Sequence, residues 1–342
     1  MRGLLALPVL AGVLGTAVGA GARDAACGWN AVSDVPGTTL LGVSAVSDQD
    51  VWAVGSKGSE PVILHWNGRR WILSRSAVVG LDVDVISARD VWVVGETSSN
   101  ARVARPASEH WDGVRWKIVS VPGGAGSYLR AVSAAWAVGA GTRGPLVVHR
   151  IGSAWRVVPA GAENGLLHGI DPPWAVGTTG TATATTSEDP LVARIAGGSV
   201  TRVTTPILDS VDENLLAVSA DSTGDVWAVG SEDVLGGRAP LVQHFDGTVW
   251  SDESVAGLPP SRSALAGVAA FGPSDVWVAG YRGFADQRAM LAHWNGSRWT
   301  QGRATSGALF DLSALSPHDI WAAGEAHVAT GTRSLVERYA CR

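Results

Sequence analysis

The sequence predicts an all-β fold, a seven-bladed β-propeller of four-stranded antiparallel blades, on three observations. The tetrapeptide Trp-x-[Val/Ala]-Gly recurs seven times, at Trp52, Trp92, Trp136, Trp174, Trp227, Trp277 and Trp321. Successive copies lie 40, 44, 38, 53, 50 and 44 residues apart, the length of one four-stranded blade. Asn-Gly or Asp-Gly pairs at 67–68, 112–113, 246–247 and 295–296 separate apolar runs, where they supply the positive-φ residues of a tight hairpin.

The elements of the unit follow in order. Its first strand is a short alternating run such as Leu41-Gly-Val-Ser-Ala-Val46 or Ala266-Gly-Val-Ala-Ala-Phe271, closed by a brief turn that often ends in Asp. The Trp-x-[Val/Ala]-Gly segment is the second strand. A variable loop leads to a third, as in Val62-Ile-Leu-His-Trp66 or Leu241-Val-Gln-His-Phe245, opened in several copies by a proline, which a strand tolerates at its first position. The hairpin then delivers a fourth strand carrying Trp71, Trp116, Trp155, Trp250 or Trp299. A unit with two apolar sheet faces cannot fold alone, so seven of them closing a ring bury each other. With no linker or compositional break, residues 23–342 read as a single domain.

The two ends of the chain complete one blade. Leu335-Val-Glu-Arg-Tyr-Ala-Cys-Arg342 matches a third strand and stops where a hairpin belongs, while Cys27-Gly-Trp-Asn-Ala-Val32 matches an orphan fourth strand with Trp29 in its tryptophan column. Aligned on the first unit, Cys341 takes the place of Gly68 and Cys27 that of Arg69, so a Cys27–Cys341 disulfide would replace the missing hairpin. Closing a loop of that length is worth roughly 5 kcal/mol as an upper figure.

Residues 1–22 read as a secretory signal peptide: one arginine, an apolar run from Leu4 to Val13, then small residues. The mature protein is therefore expected to be extracellular, where a disulfide persists, and to have no membrane span. Lipidation at Cys27 is disfavoured because Asp24 stands where such motifs carry an aliphatic residue. A formal charge of −5 with scattered basic residues argues against nucleic acid as a partner. No HExxH, P-loop or GxSxG sequence occurs, and two cysteines cannot make a thiolate zinc site, so neither a cofactor nor a metal is expected. The protein is expected to be a monomer.

Several columns look catalytic. His65, His110, His149, His244 and His293 share one third-strand position, which raises a ring of metal ligands or bases, but the other two units carry Arg194 and Arg338 there. Arginine only donates, so the column reads as structural donors. The aspartates before Val-Trp or Ile-Trp (Asp50, Asp90, Asp225, Asp275, Asp319) suit a turn whose carboxylate accepts local backbone N–H groups. The sixteen tryptophans read as blade-to-blade packing in preference to sugar platforms.

Function is sought where the repeat varies. The loops between strands two and three, and between four and one, differ in length and chemistry and share one face. That face offers Arg102, Glu109, Arg143, Arg238, Tyr281, Arg282, Phe284, Asp286, Glu325 and His327 as candidate ligand-binding residues. Along the innermost strands, a column otherwise Leu, Ala or Phe becomes Arg130 and His168, and the next, otherwise Gly or Ala, becomes Asp82 and Asp311. Packing does not demand these four departures, which makes them candidate catalytic residues, although solvated rim charges would look the same.

With Asp-Val-Trp-Ala-Val-Gly and His-Trp-[Asn/Asp]-Gly-x-x-Trp in view, the mature chain resembles the secreted bacterial β-propellers grouped with kelch and Asp-box repeats. The segment Ser219-Ala-Asp221-Ser-Thr-Gly224-Asp-Val-Trp227 is one residue too long for a sialidase Asp box. The copper-radical oxidases of the kelch group need a cysteine linked to tyrosine, and both cysteines here are committed elsewhere. The resemblance implies architecture and leaves two functions open. One is a binding module taking a glycan, cell-wall polymer, protein or small molecule on the variable face. The other is a lyase, glycosidase or small-molecule cyclase working at the central channel mouth, with Asp82, Arg130, His168 and Asp311 as acid, base and electrostatic groups.

Overall fold

Each Trp-x-[Val/Ala]-Gly segment forms the second strand of a four-stranded antiparallel sheet in a computed structural model that describes residues 27–33, 35–97, 103–160, 164–180, 188–196, 198–207, 212–221, 224–235, 237–283, 287–302, 305–329 and 331–341. Seven such sheets make a β-propeller. Blade one, for example, runs Thr38–Ser47, Asp50–Lys57, Glu60–Trp66 and Trp71–Arg75, from the axis outward. All named elements of the described residues are strands, so none is a helix long and apolar enough to cross a membrane. The proposed signal peptide lies outside the described residues.

Blade seven pairs Ala308–Ser316, Asp319–Val328 and Gly331–Cys341 with Cys27–Ser33 from the other end of the chain. In that register Cys27 faces Cys341, and a disulfide joins them across 314 residues of chain. The ring is thus closed by one strand pairing and one covalent bond.

Tryptophan holds the blades together. At six of the seven junctions the second-strand indole meets the fourth-strand indole of the next blade at a steep angle, as Trp52 meets Trp116 (5.5 Å, 79°) and Trp92 meets Trp155 (5.5 Å, 85°). Trp29 takes this part for blade seven, against Trp277 at 5.9 Å. At the remaining junction, where blade four has no fourth-strand tryptophan, Trp136 packs against an apolar cluster that includes Leu167, Leu191 and Ile195. Such edge-to-face contacts add to the large apolar area each ring removes from water.

The histidine and aspartate columns form one repeated structure, and here the expected role of the aspartates is corrected. Their carboxylates do not cap the local turn. Asp50 Oδ1 accepts the Trp52 indole N–H (2.8 Å) and His65 Nε2 (2.9 Å), and Asp90 does the same for Trp92 (2.7 Å) and His110 (2.8 Å). Asp275 takes His293 at 2.8 Å, and Asp225 takes His244. Each histidine also stacks on its tryptophan, with ring centroids 3.8 to 4.3 Å apart. Where arginine replaces histidine, Arg338 donates two hydrogen bonds of 2.9 Å to Asp319 and lies over Trp321. The column preserves a flat, stacking donor, which both residue types provide.

Candidate functional site

The site begins with a backbone irregularity. Every innermost strand slips register at the same place, between Leu40 and Gly42, Gly80 and Asp82, Leu129 and Ala131, Leu167 and Gly169, Leu215 and Ala217, Leu265 and Gly267, and Leu309 and Asp311. These are β-bulges, each leaving one residue unpaired. The glycine of Trp-x-[Val/Ala]-Gly makes room for them: a Cβ at Gly55, Gly95, Gly139, Gly177, Gly230, Gly280 or Gly324 would stand 1.9–2.2 Å from a carbonyl oxygen of the innermost strand. The motif glycine is thus a close-approach residue.

The seven bulged residues are Leu41, Leu81, Arg130, His168, Leu216, Ala266 and Phe310, and all seven line one cavity of about 660 Å³ on the propeller axis. That volume is in the range of small-molecule sites. Asp82 and Asp311 line it too, so the four residues that break the repeat share one space.

The two carboxyl groups are tied to the wall. Asp82 accepts the backbone N–H of Val83 (2.7 Å) and, in the next blade, of Val132 (2.8 Å). Asp311 accepts those of Leu312 (2.8 Å) and, across the junction to blade one, of Val43 (2.7 Å). Gly42 lies between the two blades, where a Cβ would stand 2.9 Å from Asp82 Oδ1. Burial, followed by the charge of Asp311, holds the Asp82 carboxyl well above the usual carboxylate range. Burial also raises Asp311, to about 7, against the opposing pull of its two N–H donors and Arg130. Burial, with Arg130 beside it, pushes His168 down to about 4, so its imidazole is neutral at physiological pH.

Two residues further along each strand is a tier that the sequence reading missed. Ser44, Asp84, Asp171, Ser219 and Ser313 each accept a backbone N–H from the following blade, at 2.7 to 3.1 Å. Ser133 faces a blade with Pro172 at the matching position, which has no N–H to give, and Ala269 has no acceptor to offer. Burial raises Asp84 to about 6 and raises Asp171 as well. The serine and aspartate column was visible in the sequence, but its meaning depends on neighbouring blades.

The described loop residues take different places. Tyr281 lines the cavity and packs edge-on against Phe310 at 6.3 Å. Glu325 accepts the Thr39 hydroxyl (2.6 Å) and pairs with His327 (3.0 Å), tying blade seven to blade one. Arg238 pairs with Asp233 at 3.4 Å, Arg143 is exposed on its turn, and Arg282 is half-buried. Glu109 is a correction. It is 4% exposed inside blade two, where it accepts the Ser76 hydroxyl (2.6 Å) and the Ala77 N–H (3.1 Å), so it latches a connection and has no place on the ligand face. Arg102, Phe284 and Asp286 lie outside the described residues. Among the described residues, the one His, Cys and carboxylate grouping close enough to share an ion is Cys27, His318 and Cys341, and the disulfide occupies both thiols.

No known protein family and no curated protein matches the chain. Solved structures do. YCF48 bound to D1 peptide is similar at 16% identity and a TM-score of 0.59, over 92% of this chain and 95% of that one. A PL25 ulvan lyase is similar at 10% identity and a TM-score of 0.59, over 90% and 95%. Its complex with -[GlcA(1-4)Rha3S]- is similar at 9% identity and 0.57, over 92% and 93%. At such identities the likeness is one of fold, and the fold it supports is the seven-bladed β-propeller built above.

Proposed function

We propose that the protein is an exported binding module whose ligand enters the mouth of the central channel from the variable-loop face. One observation carries the reading: the four residues that break the repeat, Asp82, Arg130, His168 and Asp311, line a single cavity. Binding is preferred to catalysis because each oxygen of both carboxyls already accepts a backbone N–H, two of the four bonds running between blades. Groups so engaged hold the ring together, and Arg130 and His168 remain to meet a ligand. The similar folds of a peptide-bound protein and a polysaccharide lyase fit a channel mouth that takes extended polymers. The disulfide fits export to an oxidising compartment.

The test is a glycan array and a peptide pull-down with the native protein and with Ala266→Trp, which fills the mouth from blade six. Binding that disappears with the plug supports the site. Binding that survives it places the ligand elsewhere.

The second reading, a lyase, glycosidase or cyclase, is favoured by one observation, a carboxyl raised to about 7 that lines the same cavity as a neutral imidazole and a guanidinium. Asp311 would then be the acid, His168 the base, and Arg130 the group that stabilises developing negative charge. Turnover of any acidic polysaccharide, lost in Asp311→Asn, would reverse the ranking.

A further inference from the structure

We propose that Arg130 and His168 form an anion subsite that takes the carboxylate of a sugar acid, with Phe310 and Tyr281 facing the sugar from the opposite wall. The inference rests on the reading of the channel mouth as the binding site and names what binds there.

The placement follows from the ring. Arg130 and His168 are the bulged residues of blades three and four. In a seven-membered ring, blade seven stands diametrically across from the junction of three and four, and its bulged residue is Phe310. Tyr281 of blade six packs against that ring. The remaining bulged positions are Leu41, Leu81, Leu216 and Ala266, so one side of the mouth is cationic and polar, the opposite side aromatic, and the flanks apolar.

Two polar groups on the cationic side are not used by the fold. No hydrogen bond or ion pair engages the Arg130 guanidinium among the described residues, and the channel-facing side chain is exposed. The Nδ1 atom of His168 is buried with no hydrogen-bond partner among the described residues. Nδ1 is thereby closed to a ligand as well as to water, and the ring nitrogen left open to the channel is Nε2, on the same wall as the unpaired guanidinium. Guanidinium matches carboxylate with two parallel N–H bonds, and a neutral imidazole adds one donor. Beyond them, Ser44, Ser219 and Ser313 each spend an oxygen lone pair on a backbone N–H and keep their O–H for donation into the channel. A tier of hydroxyl donors suits a polyhydroxylated ring better than a peptide tail. The aromatic wall offers the apolar surface such a ring presents on its C–H side.

The site is testable without risk to the fold, because leucine stands at the same bulge in blades one, two and five. Calorimetric titration with D-glucuronate, D-glucose and an acetylated tripeptide with a free C-terminus would be run on the native protein, Arg130→Leu, His168→Leu and Ala266→Trp. The expected result is that the native protein prefers glucuronate to glucose by at least about tenfold, and that Arg130→Leu erases the preference. His168→Leu weakens glucuronate by a smaller factor. Equal affinity for the two sugars, or a preference that survives Arg130→Leu, overturns the carboxylate site. If both sugars are then lost in Ala266→Trp, the mouth remains the binding site and only the inference fails. Tighter binding of the tripeptide than of glucuronate, or no binding of glucuronate by the native protein, also overturns it.

Discussion

The rim that carries the short turns and the channel mouth are built from the same seven repeats, yet they treat the repeat in opposite ways. At the rim, Asp, Trp and His recur in the same bonded and stacked arrangement, and where histidine is lost Arg338 restores the same bond to Asp319. At the mouth, one backbone irregularity recurs in every blade, but the residue it projects changes from leucine to arginine, histidine and phenylalanine. Uniform side chains on a uniform backbone are what packing requires. Varied side chains on a uniform backbone are what recognition requires.

If that contrast is right, changes in the scaffold alter stability and leave ligand affinity alone, and changes in the mouth do the reverse. The largest effect belongs to Trp227, 1% exposed at a blade junction. Trp227→Ala should cost about 3–5 kcal/mol in urea unfolding, with affinity unchanged for the fraction that remains folded. Replacing both Cys27 and Cys341 with serine should cost about 2–4 kcal/mol, read as a lowered Tm that reductant no longer affects.

A smaller effect, dependent on pH, crosses the boundary between the two regions. Asp311 titrates higher in the folded chain than in the unfolded one, so it destabilises the fold as pH rises from about 4 through about 7, and the penalty is absent below that window. Asp311→Ala restores a residue type the repeat uses at this position in blades three and five. The variant should gain on the order of 2 kcal/mol relative to the native protein between pH 5 and pH 8. A difference independent of pH would mean that Asp311 acts only through its hydrogen bonds. Its charge also opposes an anion at Arg130, so glucuronate should bind more tightly at pH 6 than at pH 8. The other titratable or charged groups lining the cavity are Asp82, Asp84, Asp171, His168, Tyr281 and Arg130. Among them Asp84, raised to about 6, reinforces that direction, and His168, already neutral across it, does not oppose it.

Much of the scaffold was legible because its signals are local and repeated. Hairpin pairs, the Trp-x-[Val/Ala]-Gly motif and the tryptophan columns set strand order, and the tryptophan column placed Trp29 on the fourth strand of the closing blade. The closing strand and disulfide followed from matching the two ends to one template. The bulge was not legible, since it is a backbone event that the motif glycine permits from the neighbouring strand. Nor were the partners of Asp50 and its equivalents, because Asp50 and His65 are brought together only by strand pairing. Glu109 was misplaced for a related reason. It follows a long variable loop in sequence, but strand alternation turns it inward with Leu64, Gln243 and Glu337 in the matching positions. At the channel, the departures at Asp82, Arg130, His168 and Asp311 were visible, but their division into wall ties and groups left open to the channel depended on hydrogen bonds between blades.

The most direct test of the division between scaffold and mouth is Arg130→Leu, measured for stability and for glucuronate affinity in the same preparation. Because leucine is the repeat's own choice at this bulge, unfolding free energy should stay within about 0.5 kcal/mol of the native value. Affinity should fall at least about tenfold. Unchanged affinity together with a loss of stability would contradict the account, for it would make Arg130 part of the scaffold.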